Sequence, residues 1–231
     1  MIIIGVDPGV SGAVTVLDTY SYRTTYALPF THNTLSDIFL FLSEIRGGEP
    51  LQTALSNHRA QPVVPLSRSM HKVRSTLPRH KSLVDENAKD NTMEMWLEEP
   101  GQIVVNSRTK GKDSTGALLA GMSASRKLGR SIGQWEGIAT ALNISCNLVP
   151  PKRWQLRLNC KTGGDKNISK NLAISLFPFL TDRNGKSTIT HDVADSLLIA
   201  LYGALQYVSP SRLPTNVSRH LSTVPPNRRI K

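Results

Sequence analysis

Apolar positions along the chain follow two rhythms, and each marks a kind of element. Ile2-Ile3-Ile4 leads without a break into Gly5-Val6-Asp7, then Pro8-Gly9. That is a short buried strand over residues 2–6 stopped by turn chemistry. Ala13-Val-Thr-Val-Leu17 predicts a second strand, close enough to pair antiparallel with the first. A third, weaker strand is expected near Thr24–Leu28. Leu35, Ile38, Phe39, Leu42 and Ile45 then recur at helical spacing and predict a helix over Leu35–Ile45.

From Arg46 to Asn91 the rhythm disappears. Pro50, Pro62, Pro65 and Pro78 lie among scattered basic residues and histidines, so residues 46–92 read as a poorly ordered insertion. The core resumes at Met93-Glu-Met-Trp-Leu-Glu-Glu-Pro100, a strand ended by Pro100 and Gly101. A loop rich in Ser, Gly and Lys follows, then a helix over Ile132–Leu142 and a short strand at Asn147–Pro150 closed by Pro150-Pro151. A helix over Asn167–Leu176 ends at Pro178, and the last helix spans His191–Tyr207. Beyond Val208 the chain carries Arg212, Arg219, Arg228, Arg229 and Lys231 but no acid, which predicts a solvated basic tail over 208–231. The expected organisation is one domain, 1–207. Its class is α/β: a mixed sheet, with an antiparallel hairpin plus parallel strands, and helices on both faces.

Charge narrows the function. A net charge of +11 and a pI near 10.0 favour a polyanionic partner, nucleic acid before an anionic membrane surface. No apolar run approaches the roughly 18 residues a membrane span needs, so no membrane is expected. The two cysteines, Cys146 and Cys160, are too few for a disulfide framework or a zinc site and suggest a reducing compartment. No secretory signal precedes the first strand, and an intracellular, DNA-associated protein is expected, in a nucleoid or an organelle. Residues 101–170 hold twelve Lys/Arg against three acids, a local excess that phosphate tracking would use. Within it Arg130, Lys152, Arg153 and Lys170 are candidate DNA contacts.

Four carboxylates stand at element ends. Asp7 closes the first strand, Glu98 sits near the end of the Met93 strand, and Asp192 and Asp195 lie three apart at the start of the last helix. Singly, each has a bland reading as turn, edge residue or helix cap. Jointly they offer hard oxygen ligands from three elements, without His or Cys, which suits Mg²⁺ with Mn²⁺ as substitute. Adjacent carboxylates repel one another unless cations lie between them, and two ions about 4 Å apart suit in-line attack of water on a phosphodiester.

These residues also carry a resemblance. Ile3-Ile-Gly-Val-Asp-Pro-Gly-Val-Ser-Gly-Ala13 resembles the opening motif of the RuvC-type Holliday-junction resolvases, crossover-junction endodeoxyribonucleases of the RNase H-like superfamily, above all the phage and chloroplast members. Leu97-Glu98-Glu99-Pro100 is similar to their Glu-bearing strand, and His191-Asp-Val-Ala-Asp195 to their closing helix. Gly129-Arg-Ser-Ile-Gly133, Val149-Pro-Pro-Lys-Arg-Trp154 and Lys166-Asn-Ile-Ser-Lys170 resemble intervening segments. The closing motif follows the bacterial Asp-x-x-Asp form, Ala124-Ser-Arg-Lys-Leu-Gly129 departs from the family's aromatic approach to the middle helix, and residues 46–91 have no counterpart.

The resemblance implies an RNase H-like fold and a homodimer that nicks opposed strands of a four-way DNA junction. It implies Asp7, Glu98, Asp192 and Asp195 as metal ligands for two ions, with Lys166 as a further catalytic group beside the scissile phosphate. No small-molecule cofactor is expected. Trp135 and Trp154 read as core residues rather than stacking platforms. Three alternatives stand beside this reading. An actin-like kinase would need a second phosphate-binding domain and motif, for which the chain has neither the length nor the sequence. A catalytically silent junction- or nucleoid-binding protein, or an RNase H-type enzyme for RNA/DNA hybrid, remains open.

Overall fold

The computed structural model describes residues 1–9, 11–19, 25–30, 34–48, 92–99, 114–161, 163, 165, 167–178 and 189–224. Strands β1 (Ile2–Asp7), β2 (Ala13–Asp18) and β3 (Thr25–Pro29) are followed by helix α1 (Leu35–Arg46) and strand β4 (Met93–Glu98). Then come α2 (Ser114–Ala141), β5 (Ser145–Val149), α3 (Pro151–Arg157), α4 (Asn167–Leu176), α5 (His191–Ala204) and α6 (Thr215–Thr223). The five strands form one mixed sheet in the order β3-β2-β1-β4-β5. β1–β2 and β2–β3 pair antiparallel, whereas β1–β4 and β4–β5 pair parallel. The chain is therefore α/β with a mixed sheet, as its patterning predicts, and this is consistent with the RNase H-like fold that the resemblance implies.

β1 is the central strand, which is why its apolar run does not alternate: both faces are covered. Ile3, Ala13 and Leu17 on one face meet α3, α4, α5 and α6, while Ile4, Val6, Val14 and Val16 on the other meet α1 and α2. Gly5 is where α5 comes closest. A Cβ there would collide with the Ser196 carbonyl oxygen and the backbone of Ala200. About one turn further along α5 is a second tight spot, where Gly203 leaves room for the Trp96 ring, which meets Tyr202 edge-on at 5.4 Å between centroids. A buried hydrogen bond of 2.7 Å between the hydroxyls of Thr15 and Ser196 fixes α5 along the sheet. Leaving either hydroxyl buried without its partner costs about 1–3 kcal/mol.

Helix starts follow local chemistry. Thr34 caps α1 with a full capping box, its hydroxyl accepting from the Asp37 amide while Asp37 accepts from the Thr34 amide. Thr190 caps α5 by accepting from the Val193 amide at 3.2 Å. Pro151 occupies the first turn of α3, where its missing N–H is harmless.

Three expectations need correction. α2 begins at Ser114 rather than Ile132, although Gly and Ser there read as loop. Its Gly129, Gly133 and Gly137 face open space, so they lower helix propensity without forbidding the helix. Pro150-Pro151 closes β5 but also launches α3, a helix the reading missed. The tail expected after Val208 is folded over residues 209–224: Leu213, Val217 and Val224 are buried, and His220 Nε2 lies 2.7 Å from the Leu158 carbonyl oxygen. Counting charges hid the spacing of Val217, Leu221 and Val224, which is that of one helix face. Residues 49–91 of the insertion, the 100–113 loop and residues 225–231 lie outside the described residues.

Candidate active site

The parallel register of β1 and β4 pairs Val6 with Leu97, and β4 and β5 pair Glu98 with Val149. Asp7 and Glu98 follow Val6 and Leu97 at the carboxyl ends of adjacent strands. Alternation puts both on the sheet face that α5 covers, since Gly5 and Trp96, two residues back, touch that helix. The capped start of α5 brings Asp195 to the same place. The cap itself is Thr190, so helix capping does not account for Asp192 or Asp195.

Electrostatics ties three of the acids together. Burial, then the charge of Asp7, pushes the Glu98 carboxyl up from 4.5 to about 8; a hydrogen bond from Trp154 opposes the rise and the Asp195 charge adds to it. Trp154 is fully buried, and its Nε1 donates to Glu98 Oε1 at 3.1 Å. Asp7 Oδ1 accepts from the Gly9 amide at 3.0 Å, so the Asp-Pro-Gly turn orients that carboxylate as well as ending the strand. Cys160 is buried beside the same group: desolvation first and the Asp195 charge second push its thiol up to about 12, so it stays neutral.

Asp7 and Asp195 thus both lie within electrostatic reach of Glu98. Asp192, one turn nearer the start of α5, is partly buried. Among the described residues, no three His, Cys, Asp or Glu side chains stand in a ready-made ligand arrangement. Two of the acids are engaged locally instead, Glu98 on Trp154 and Asp7 on Gly9. The donor chemistry nonetheless fits a hard divalent cation. The oxygens are all carboxylate, they repel one another, and a cation between them would relieve what raises Glu98.

Basic groups gather at the same end of the sheet. Val149 stands beside Glu98, so α3 starts there and presents Lys152 and Arg153, both exposed. Arg126, Lys127 and Arg130 are exposed along the part of α2 nearest the Pro8–Gly9 turn. Lys170, on α4, is partly buried. Lys166 lies outside the described residues. Trp154 is the site residue that sequence reasoning placed only in the core. Its position directly after Lys152-Arg153 in a short Pro-initiated segment was the available signal, but nothing in the sequence pointed its N–H at Glu98.

No helix among the described residues is long and apolar enough to cross a membrane. The chain matches no protein-family model and no curated protein.

Proposed function

We propose that this chain is a divalent-metal-dependent, structure-selective endodeoxyribonuclease of the RuvC type that resolves four-way DNA junctions by paired nicking as a homodimer. The observation that carries the reading is the convergence of Asp7, Glu98 and Asp195 in one electrostatic field, with the Glu98 carboxyl pushed up to about 8. Carboxylates crowded this way at the ends of central strands, in a chain of net charge +11, suit work on a phosphodiester better than a structural role.

Asp7, Glu98 and Asp195 would hold Mg²⁺ or Mn²⁺, with Asp192 as a further ligand; a pair of ions is the expected complement. When bound, such ions supply Lewis-acid stabilisation of phosphate charge and a water nucleophile at neutral pH. The protein's own residues do the rest. Trp154 holds Glu98 in one rotamer, and the Gly9 amide holds Asp7, so the ligands are oriented before DNA arrives. Lys152 and Arg153 would grip phosphates flanking the cut, with Arg130 and Lys170 as further contacts and Lys166, outside the described residues, as the catalytic lysine the resemblance implies. Cleavage then leaves 5′-phosphate and 3′-hydroxyl ends.

The test is cleavage of a labelled four-way junction beside linear duplex, flap and RNA/DNA hybrid, with Mg²⁺ and with EDTA. Paired symmetric nicks confined to the junction are expected. Equal cutting of linear duplex would sink the junction claim, and preference for hybrid would favour an RNase H-type enzyme. Tight junction binding without any cutting would favour the silent binding protein.

A further inference from the structure

Helix α3 ends in a buried turn that its own backbone does not fully satisfy. Leu158 is its C-cap, and Asn159, at φ 52°, takes the left-handed conformation that asparagine tolerates. The Cys160 amide donates to the Gln155 carbonyl at 2.9 Å and the Asn159 amide to the Leu156 carbonyl at 3.2 Å, the paired bonds of a Schellman cap. That cap leaves the Leu158 carbonyl for a donor outside α3, and Leu158 is wholly buried. The donor comes from 62 residues away: His220 Nε2 of α6 stands 2.7 Å from that oxygen. A carbonyl can only accept, so Nε2 carries the proton, and the bond forms whether the ring is neutral or charged. Val217 and Val224 seat α6 in the core, and His220, three residues from Val217, projects from the same helix face.

We propose that His220 is a positioning residue for the metal site: by holding the Leu158 carbonyl it fixes the end of α3, and with it the Trp154 indole that orients Glu98. This rests on the metal-site reading and adds α6 to it. Leu158 reaches both ways. Its amide donates to the Trp154 carbonyl at 3.0 Å, and Trp154 Nε1 donates to Glu98 Oε1 at 3.1 Å. Three hydrogen bonds in series therefore run from His220 to the Glu98 carboxylate. The length of α3 is what gives the far bond its leverage. A helix of seven residues is not stable alone, so its placement depends on what holds its ends. β5 leads directly into its start, and His220 holds its end. A bond that only satisfied a buried carbonyl would add stability everywhere; this one acts on the element that carries the donor to a metal ligand.

The test uses the full chain, first free of metal and then with Mn²⁺ as the probe. Hydrogen exchange of the three tryptophan indole N–H groups is followed by NMR, the Trp154 signal being assigned by its loss in Trp154→Phe. His220→Leu keeps bulk and removes the donor. It is expected to speed exchange at Trp154 about tenfold while leaving Trp135, in the core on the other sheet face, unchanged. His220→Gln, whose amide nitrogen reaches the same place, should restore slow exchange. Mn²⁺ affinity should fall about tenfold in His220→Leu, with no further loss when that change is added to Trp154→Phe. Equal acceleration at Trp154 and Trp135 would mean a general loosening of the fold and would overturn the proposal. So would unchanged exchange at Trp154, failure of Gln to rescue, or additive losses of Mn²⁺ affinity. Should His220→Leu not fold, His220→Asn, whose shorter amide falls short of the carbonyl, makes the same comparison. A response at Trp154 in a protein that binds no Mn²⁺ sinks the metal-site reading alone. Mn²⁺ binding with an indifferent Trp154 sinks only the role of His220.

Discussion

The indole nitrogen of Trp154 and the carboxylate of Glu98, 56 residues apart in sequence, are joined by a hydrogen bond of 3.1 Å at the carboxyl ends of β4 and β5. Among the described residues, this hydrogen bond favours the charged form of Glu98 against burial and two like charges. Trp154→Phe keeps the ring and removes the donor. The Glu98 carboxyl is then expected to rise further, and the acid limb of the junction-cleavage pH profile to move to higher pH, with activity at neutral pH falling about tenfold. A lower rate with an unmoved pH profile would mean that Trp154 acts by packing alone.

The raised Glu98 carboxyl also makes stability depend on pH. Between 4.5 and about 8 the folded protein holds a proton that the unfolded chain has released. Stability of the metal-free protein should therefore fall as pH rises through that window and level off above it. At about 1.4 kcal/mol per pH unit the total is a few kcal/mol. Glu98→Gln should flatten the dependence and be the more stable protein at pH 9. Urea midpoints measured in EDTA across the window decide this; parallel curves for the two proteins would refute it.

Metal should reverse that effect. Mg²⁺ or Mn²⁺ binding requires ionised Glu98, so below pH 8 it is expected to release close to one proton, measurable by calorimetry in buffers of different ionisation enthalpy. At a hundredfold excess over Kd the fold gains about 2.7 kcal/mol, a rise of several degrees in Tm. Asp7→Asn and Asp195→Asn should each abolish most of the rise. An unchanged Tm in the unsubstituted protein would count against the metal site itself.

Gly5→Ala tests how Asp195 is delivered. The added methyl meets the backbone of Ser196 and Ala200 rather than a side chain that can turn away. A loss of about 3 kcal/mol or more is expected, with α5 and its acid displaced. Gly133→Ala adds a methyl into open space on α2 and should be neutral or stabilising by up to about 1 kcal/mol. Equal thermal denaturation of the two variants would show that the approach at Gly5 is not rigid.

The parts legible in sequence are those written in local periodicity. β1, β2, β4, α1 and α4 emerge close to their predicted bounds because apolar spacing and breakers such as Pro8-Gly9 act over a few residues. The start of α2 was hidden because its outward face needs no apolar residue and tolerates Gly129 and Gly133. α6 was hidden by its charge. For the site, Asp7 and Glu98 could be singled out from their strand ends, and their adjacency follows from parallel pairing that no local pattern reveals. The reach of Asp195 to Glu98 depends on how α5 lies over Gly5, and so belongs to tertiary packing.

The central strand precedes in sequence every element that covers it. β1 waits for β4, then α5, and the core cluster on that side is completed only by Val217 of α6. At about 5–20 residues per second, that interval on a ribosome lasts on the order of ten to forty seconds. Until α5 is made, the Ile3 face of this β-forming segment is uncovered. β1 and α6 are therefore bound into one folding event. Chaperone dependence at birth, rather than fragility once folded, is the burden this topology imposes.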